Sequence, residues 1–154
     1  NEIHNFHQGI YFANEALKKT QDPIKIAKAE RLLGIIYSEE GVDQKKVISY
    51  LKKALSFYTK NKTQKTNEDA ISILNGIGRA YIKLNQLDSA KKYLDTAFKY
   101  AVNNNYYEKS VSSLDFLSTI DRINLKYIES KNKTFLKSSK INKAIFFIDF
   151  YNIF

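Results

Sequence analysis

The sequence predicts an all-α fold, an array of antiparallel helical hairpins. Three observations predict it. Apolar residues recur at steps of three and four, which is the period of a helix and not the alternation of a strand. The 154 residues include one proline and five glycines, so breaks are few and elements long. The order of small and large residues also repeats. Gly34 and Gly78 are each followed three residues later by a tyrosine, Tyr37 or Tyr81. Ala54 and Ala97 each follow a leucine by three positions and precede Leu55 or Phe98. A lone hairpin cannot bury its apolar face, so stacked copies share a core.

The first element spans 2–19, with Ile3, Phe6, Ile10, Ala13, Ala16 and Leu17 apolar. Gly9, Ala13 and Ala16 are the small positions of a close helix contact. Asp22-Pro23 opens the second helix: aspartate caps a free N–H, and proline fits where no donor is needed. Ile26, Ala29, Leu32, Leu33, Ile36 and Tyr37 form its predicted inner face, and Gly41 marks its end. Asp43 caps a third helix over about 44–60, with Val47, Leu51, Ala54, Leu55 and Tyr58 inward. Residues 60–66 read as a polar loop and Asn67 as the next cap. Glu68 and Asp69 then suit the positive end of the following helix.

The clearest unit is 70–101. Leu74, Ile77, Gly78 and Tyr81 share one face of its first helix. Leu87, Ala90, Leu94, Ala97 and Phe98 form the stripe of its second, across the turn Leu84-Asn85-Gln86. Asn103-Asn104-Asn105 is a polar break. A helix follows over 106–121, with Val111, Leu114, Leu117 and Ile120 inward. The pattern weakens over 122–140, where Leu125, Ile128, Phe135 and Leu136 can still line a helix. The last stretch, 141–154, is strongly apolar and aromatic.

These residues resemble the tetratricopeptide repeat family, whose pattern sets a large residue, Leu-Gly, Tyr, Ala, an aromatic and Ala in series. Leu74, Ile77-Gly78, Tyr81, Ala90, Leu94 and Ala97 meet it with the family's internal spacing. Leu33-Gly34, Tyr37, Val47, Leu51 and Ala54 meet it with one extra residue in the turn, and Leu51 and Leu94 replace aromatics. The resemblance covers 2 to about 121. It divides the chain into a half repeat at 2–19, a repeat at 22–60, the best repeat at 67–102 and a degenerate repeat at 106–140; the length predicts one domain, 1–154, and the apolar character of 141–154 predicts a capping or self-association helix. The resemblance also implies a right-handed superhelical α-solenoid. The long period is similar to that of variants in bacterial regulatory and signalling proteins.

In the resembled family the first helices of successive hairpins line a concave groove that binds protein or peptide. The mapped groove positions are Arg31, Ile35 and Ser38, then Ser72, Asn75, Arg79 and Ile82, then Asp115 and Thr119. Asn can bond a peptide backbone, and Arg can pair with a carboxylate or phosphate. The family's clamp for a C-terminal carboxylate is not reproduced, because Ile35 stands where a clamp asparagine belongs. A chaperone-tail receptor is therefore not expected.

Composition sets further bounds. The absence of cysteine excludes disulfides and thiolate metal sites. The chain has no methionine, even at residue 1, which is the expectation for a piece of a longer protein. The net charge of +9 draws anionic partners. Its lysines are dense at Lys45, Lys46, Lys52, Lys53, Lys60, Lys62 and Lys65, and again at Lys126, Lys131, Lys133, Lys137, Lys140 and Lys143. A nucleic-acid-binding face is thus the alternative to protein binding, against which stand the core spacing of the aromatics and the lack of a recognition module. A self-associating scaffold built on 141–154 is a second alternative, and that stretch can also contact a membrane. No run reaches the roughly 20 residues of a membrane span. A cytoplasmic setting is favoured.

Little chemistry is on offer. His4 and His7 lie three apart near Glu2, but no further histidine or cysteine can complete a zinc site. There is no glycine-rich phosphate loop. Glu39-Glu40 and Glu68-Asp69 are acid pairs that caps and dipoles explain. No catalytic residue, metal or cofactor is expected.

Overall fold

The computed structural model describes residues 2–41, 43–61 and 63–151. Among them the side chains of 2–5, 40, 64, 135, 136 and 139–151 fall outside the description. The described residues form six helices and no strand: α1 (Glu2–Lys19), α2 (Pro23–Glu40), α3 (Gln44–Lys60), α4 (Gln64–Lys83), α5 (Leu87–Asn103) and α6 (Tyr107–Tyr151). The chain divides after Ser118 into two units. In the first, α1 to α5 pack each on the next, and α2 also touches α4.

Local chemistry sets the helix ends. Asp22 accepts from the Ile24 N–H at 2.9 Å and Pro23 is the first helical residue. Asp43 accepts from the N–H groups of Lys45 and Lys46. Gly41 closes α2 in the left-handed region, with φ 71°. Two later turns share one geometry. Asn85 and Asn105 have φ of 55° and 63°, which asparagine tolerates better than most residues. The next N–H, of Gln86 or Tyr106, then donates to Tyr81 or Ala101 at 2.9 Å.

One predicted cap is corrected. Helix α4 starts at Gln64, and Thr63 caps it by accepting from the Thr66 N–H while Thr66 Oγ1 accepts from the Thr63 N–H. A reciprocal Thr pair outcompetes Asn67 because it satisfies two end groups together. Asn67 is thereby freed for tertiary contacts. Its Oδ1 accepts from the Tyr100 hydroxyl at 2.6 Å and its Nδ2 donates to Asn104 Oδ1 at 3.3 Å. Asp22→Ala, Asp43→Ala and Thr63→Ala are each expected to lower stability by about 1 kcal/mol, read from urea unfolding midpoints.

The two recognised copies pack alike. A Cβ placed on Gly34 would lie 2.5 Å from Leu51 Cδ2, and one on Gly78 would lie 2.5 Å from Leu94 Cγ. So each glycine receives the leucine that replaced the expected aromatic. Behind them Ala54 and Ala97 are fully buried, as are Leu33, Val47, Ile71 and Ile77. Beside each contact two tyrosines stack: Tyr37 on Tyr50 at 5.7 Å and Tyr81 on Tyr93 at 5.6 Å. Lysines lie over these rings, Lys46 on Tyr37, Lys53 on Tyr50, and Lys52 over both Tyr81 and Tyr93. The Tyr81 hydroxyl also accepts from Lys52, which holds that amine above the usual lysine range. Part of the lysine density between 45 and 65 is thus committed to ring contacts.

The apolar pattern fails at the start of α6, although Ile120 further along is buried as predicted and Leu117 is half-buried. Val111 and Leu114, expected inward, are 63% and 48% exposed, while Ser110 and Ser113 are buried. The inward face is polar because a buried polar group on α4 needs a partner there. Leu32 on α2 is likewise exposed and not inward. No turn divides α6 between 107 and 140, the span assigned to a degenerate repeat. In the second unit Leu125, Tyr127 and Ile128 are exposed, and Lys131 lies 4.9 Å from the Tyr127 ring. The capping or self-association role expected of 141–154 concerns side chains outside the described residues.

Candidate functional site

Within the first unit, α2, α4 and the part of α6 before Thr119 share a cleft of about 350 Å³. From α2 it takes Arg31, Ile35 and Ser38; from α4, Ser72, Asn75 and Arg79; from α6, Lys109, Ser112 and Phe116. Each set follows steps of three and four, so each is one stripe along its helix. The volume is within the range of small-ligand and side-chain pockets.

The floor depends on glycine. Gly34 and Gly76 line the cleft together with Leu51 of α3. A Cβ on Gly76 would come within 2.9 Å of Leu51 Cδ1. The leucine therefore rises between α2 and α4 at the one level where neither helix carries a side chain. Gly76 went unassigned in the sequence because it falls outside the repeat pattern, and its signal is only its spacing of two from Gly78.

Two ion pairs tie the walls. Arg31 of α2 meets Asp69 of α4 at 3.3 Å, and Lys109 of α6 meets Glu68 of α4 at 3.6 Å. Adjacent positions on a helix point about 100° apart, so neighbouring acids reach opposite neighbours. This corrects the reading of Glu68 and Asp69 as dipole partners: α4 starts too early for them to lie in its first turn.

Asn75 is 6% exposed, and its Oδ1 accepts from the fully buried Ser113 hydroxyl at 2.8 Å. Its Nδ2 makes no hydrogen bond among the described residues. Half of this carboxamide is thus structural and half remains a donor on the cleft wall. Arg79 is exposed. Its Nη2 donates to Ser38 Oγ at 3.0 Å, and its guanidinium lies 5.9 Å from the centre of the Phe116 ring. Lys83 donates to the Ser38 carbonyl at 3.3 Å.

Six predicted positions, Arg31, Ile35, Ser38, Ser72, Asn75 and Arg79, are brought together here. Ile82 is half-buried and Asp115 exposed, and neither is among the lining residues. Thr119 belongs to the second unit, where its Oγ1 accepts from Arg122. On α6 the lining stripe is Lys109, Ser112 and Phe116, one residue out of phase with Asp115. That shift rotates the face by about 100°. Among the described residues no group of His, Cys, Asp and Glu could hold a metal ion. No helix among them is long and apolar enough to cross a membrane.

The architecture is all-helical and repeat-like, with neighbouring helices packed in series. The chain matches no protein-family model, and no curated protein matches it.

Proposed function

We propose that residues 2 to about 121 are a tetratricopeptide-like, right-handed superhelical array that binds a protein or peptide in the α2–α4–α6 cleft. In this reading the protein is a non-catalytic adaptor or sensor, part of a bacterial regulatory or signalling protein. The observation that carries it is the cleft itself: alternate helices contribute parallel stripes in which polar donors flank exposed Ile35 and half-buried Phe116. The matched contacts Gly34–Leu51 and Gly78–Leu94 support the repeat reading beneath it.

The test is a library of immobilised 12-residue peptides probed with the protein and with a cleft-filling variant, Ser72→Trp. A subset of peptides is expected to bind, with at least a tenfold loss in the variant. Binding by no peptide, or binding indifferent to Ser72→Trp, overturns the proposal. Labelled single- and double-stranded nucleic acids, titrated at two salt concentrations, address the alternative. Salt-sensitive binding that ignores Ser72→Trp would place the activity on the lysine-rich faces instead.

A further inference from the structure

The cations of the cleft differ in one respect. Arg31 and Lys109 already have carboxylate partners, Asp69 and Glu68. Arg79 has none among the described residues. A guanidinium carries five N–H donors, and Ser38 accepts from one of its nitrogens. The Phe116 ring supports it from the side. The head group is therefore held in place while donors remain unused, the arrangement in which arginine binds a planar oxyanion through two parallel hydrogen bonds. The nearby Lys83 amine, held by the Ser38 carbonyl, adds positive potential. Glu39 is the acidic residue in the lining and forms no ion pair among the described residues. Arg79 and Lys83 together outweigh it.

Ile35, 37% exposed, lines the same cleft one helical turn before Ser38, the residue that holds this cation. The cleft thus presents a fixed cation together with an apolar contact. Resting on the peptide-binding reading above, we infer that the ligand is a peptide with an acidic side chain, whose carboxylate pairs with Arg79 while a neighbouring apolar residue meets Ile35. The ion pairs Arg31–Asp69 and Lys109–Glu68 keep the other lining cations from competing for it. Position along the cleft is then set by one charge.

The experiment uses the same peptide library synthesised in matched forms: Asp/Glu, the isosteric Asn/Gln, and phosphoserine at the acidic positions. Binding is compared for the protein, Arg79→Gln and Arg79→Lys. The acidic forms are expected to bind at least tenfold more tightly than their amide forms. Arg79→Gln should erase that difference, and Arg79→Lys should restore part of it. Arg79 is exposed, so folding of the variants is checked simply by helical circular dichroism. Equal binding of acidic and amide forms that Ser72→Trp abolishes would overturn the charge assignment and leave the cleft standing. Binding of the phosphoserine forms alone would overturn carboxylate recognition. Binding by no form would overturn both readings.

Discussion

Gly78→Ala is expected to destabilise the protein by about 1–3 kcal/mol, although alanine is the better helix former by about 1 kcal/mol. The added methyl would meet Leu94 Cγ at 2.5 Å. That atom is the branch point of a fully buried side chain and cannot swing away as a chain end can. Gly34→Ala should behave alike, since its Cβ would lie 2.7 Å from Leu51 Cγ. Gly76→Ala is the contrast. It would meet a terminal methyl of Leu51 at 2.9 Å, so a small rotation relieves it and helix propensity offsets the remainder. Leu94→Ala alone should cost about 2–5 kcal/mol through lost burial and a cavity. In the double variant Gly78→Ala/Leu94→Ala the new methyl enters that cavity, so the cost is less than the sum. Urea unfolding of the four proteins measures the cycle, and strict additivity would show that the two side chains do not share the space.

Ser113→Ala is expected to cost about 1–3 kcal/mol, a large effect for the loss of one hydroxyl. Ser113 is fully buried and satisfies Asn75 Oδ1 at 2.8 Å. Without it a buried carbonyl oxygen loses its donor. Asn75→Ala leaves a different situation, because the Ser113 hydroxyl can still donate to the Lys109 carbonyl at 3.2 Å. The pair is thus asymmetric, and a double-mutant cycle should give a coupling of about 0.5–3 kcal/mol. The same variant bears on function. If Asn75 donates to a peptide, Ser113→Ala should weaken binding in the library by freeing the carboxamide to turn, while leaving the helical content of the folded protein unchanged. Unaltered stability would mean that Asn75 finds water in place of the serine.

Much was legible in the chain because the relevant interactions are local. Helix periodicity, the Asp22-Pro23 and Asp43 caps and the turn at Asn85 depend on residues within one or two turns of each other. The equivalence of Gly34 with Gly78 was also legible, because close helix contacts need small residues at fixed intervals. Stripe positions on α2 and α4 followed once their inward faces were recognised, which is why Arg31, Asn75 and Arg79 meet in one cleft.

What remained hidden depends on partners distant in sequence. Asn67 is a good cap by type, and only its packing against Tyr100 and Asn104 assigns it another role. Glu68 and Asp69 look like dipole partners until α2 and α6 supply Arg31 and Lys109. Apolar spacing found Ile120 on the inward face of α6 but misplaced Val111 and Leu114. The buried side of that helix also carries Ser110 and Ser113, and the need for serine arises on another helix, from Asn75. The sequence by itself determined which segments are helical and where most of them start and stop, since those choices are settled by backbone hydrogen bonds and side chains close along the chain. The tertiary structure alone decided which face of each helix turns inward and which charges are neutralised, because burial and pairing are properties of neighbours that the chain brings together only on folding.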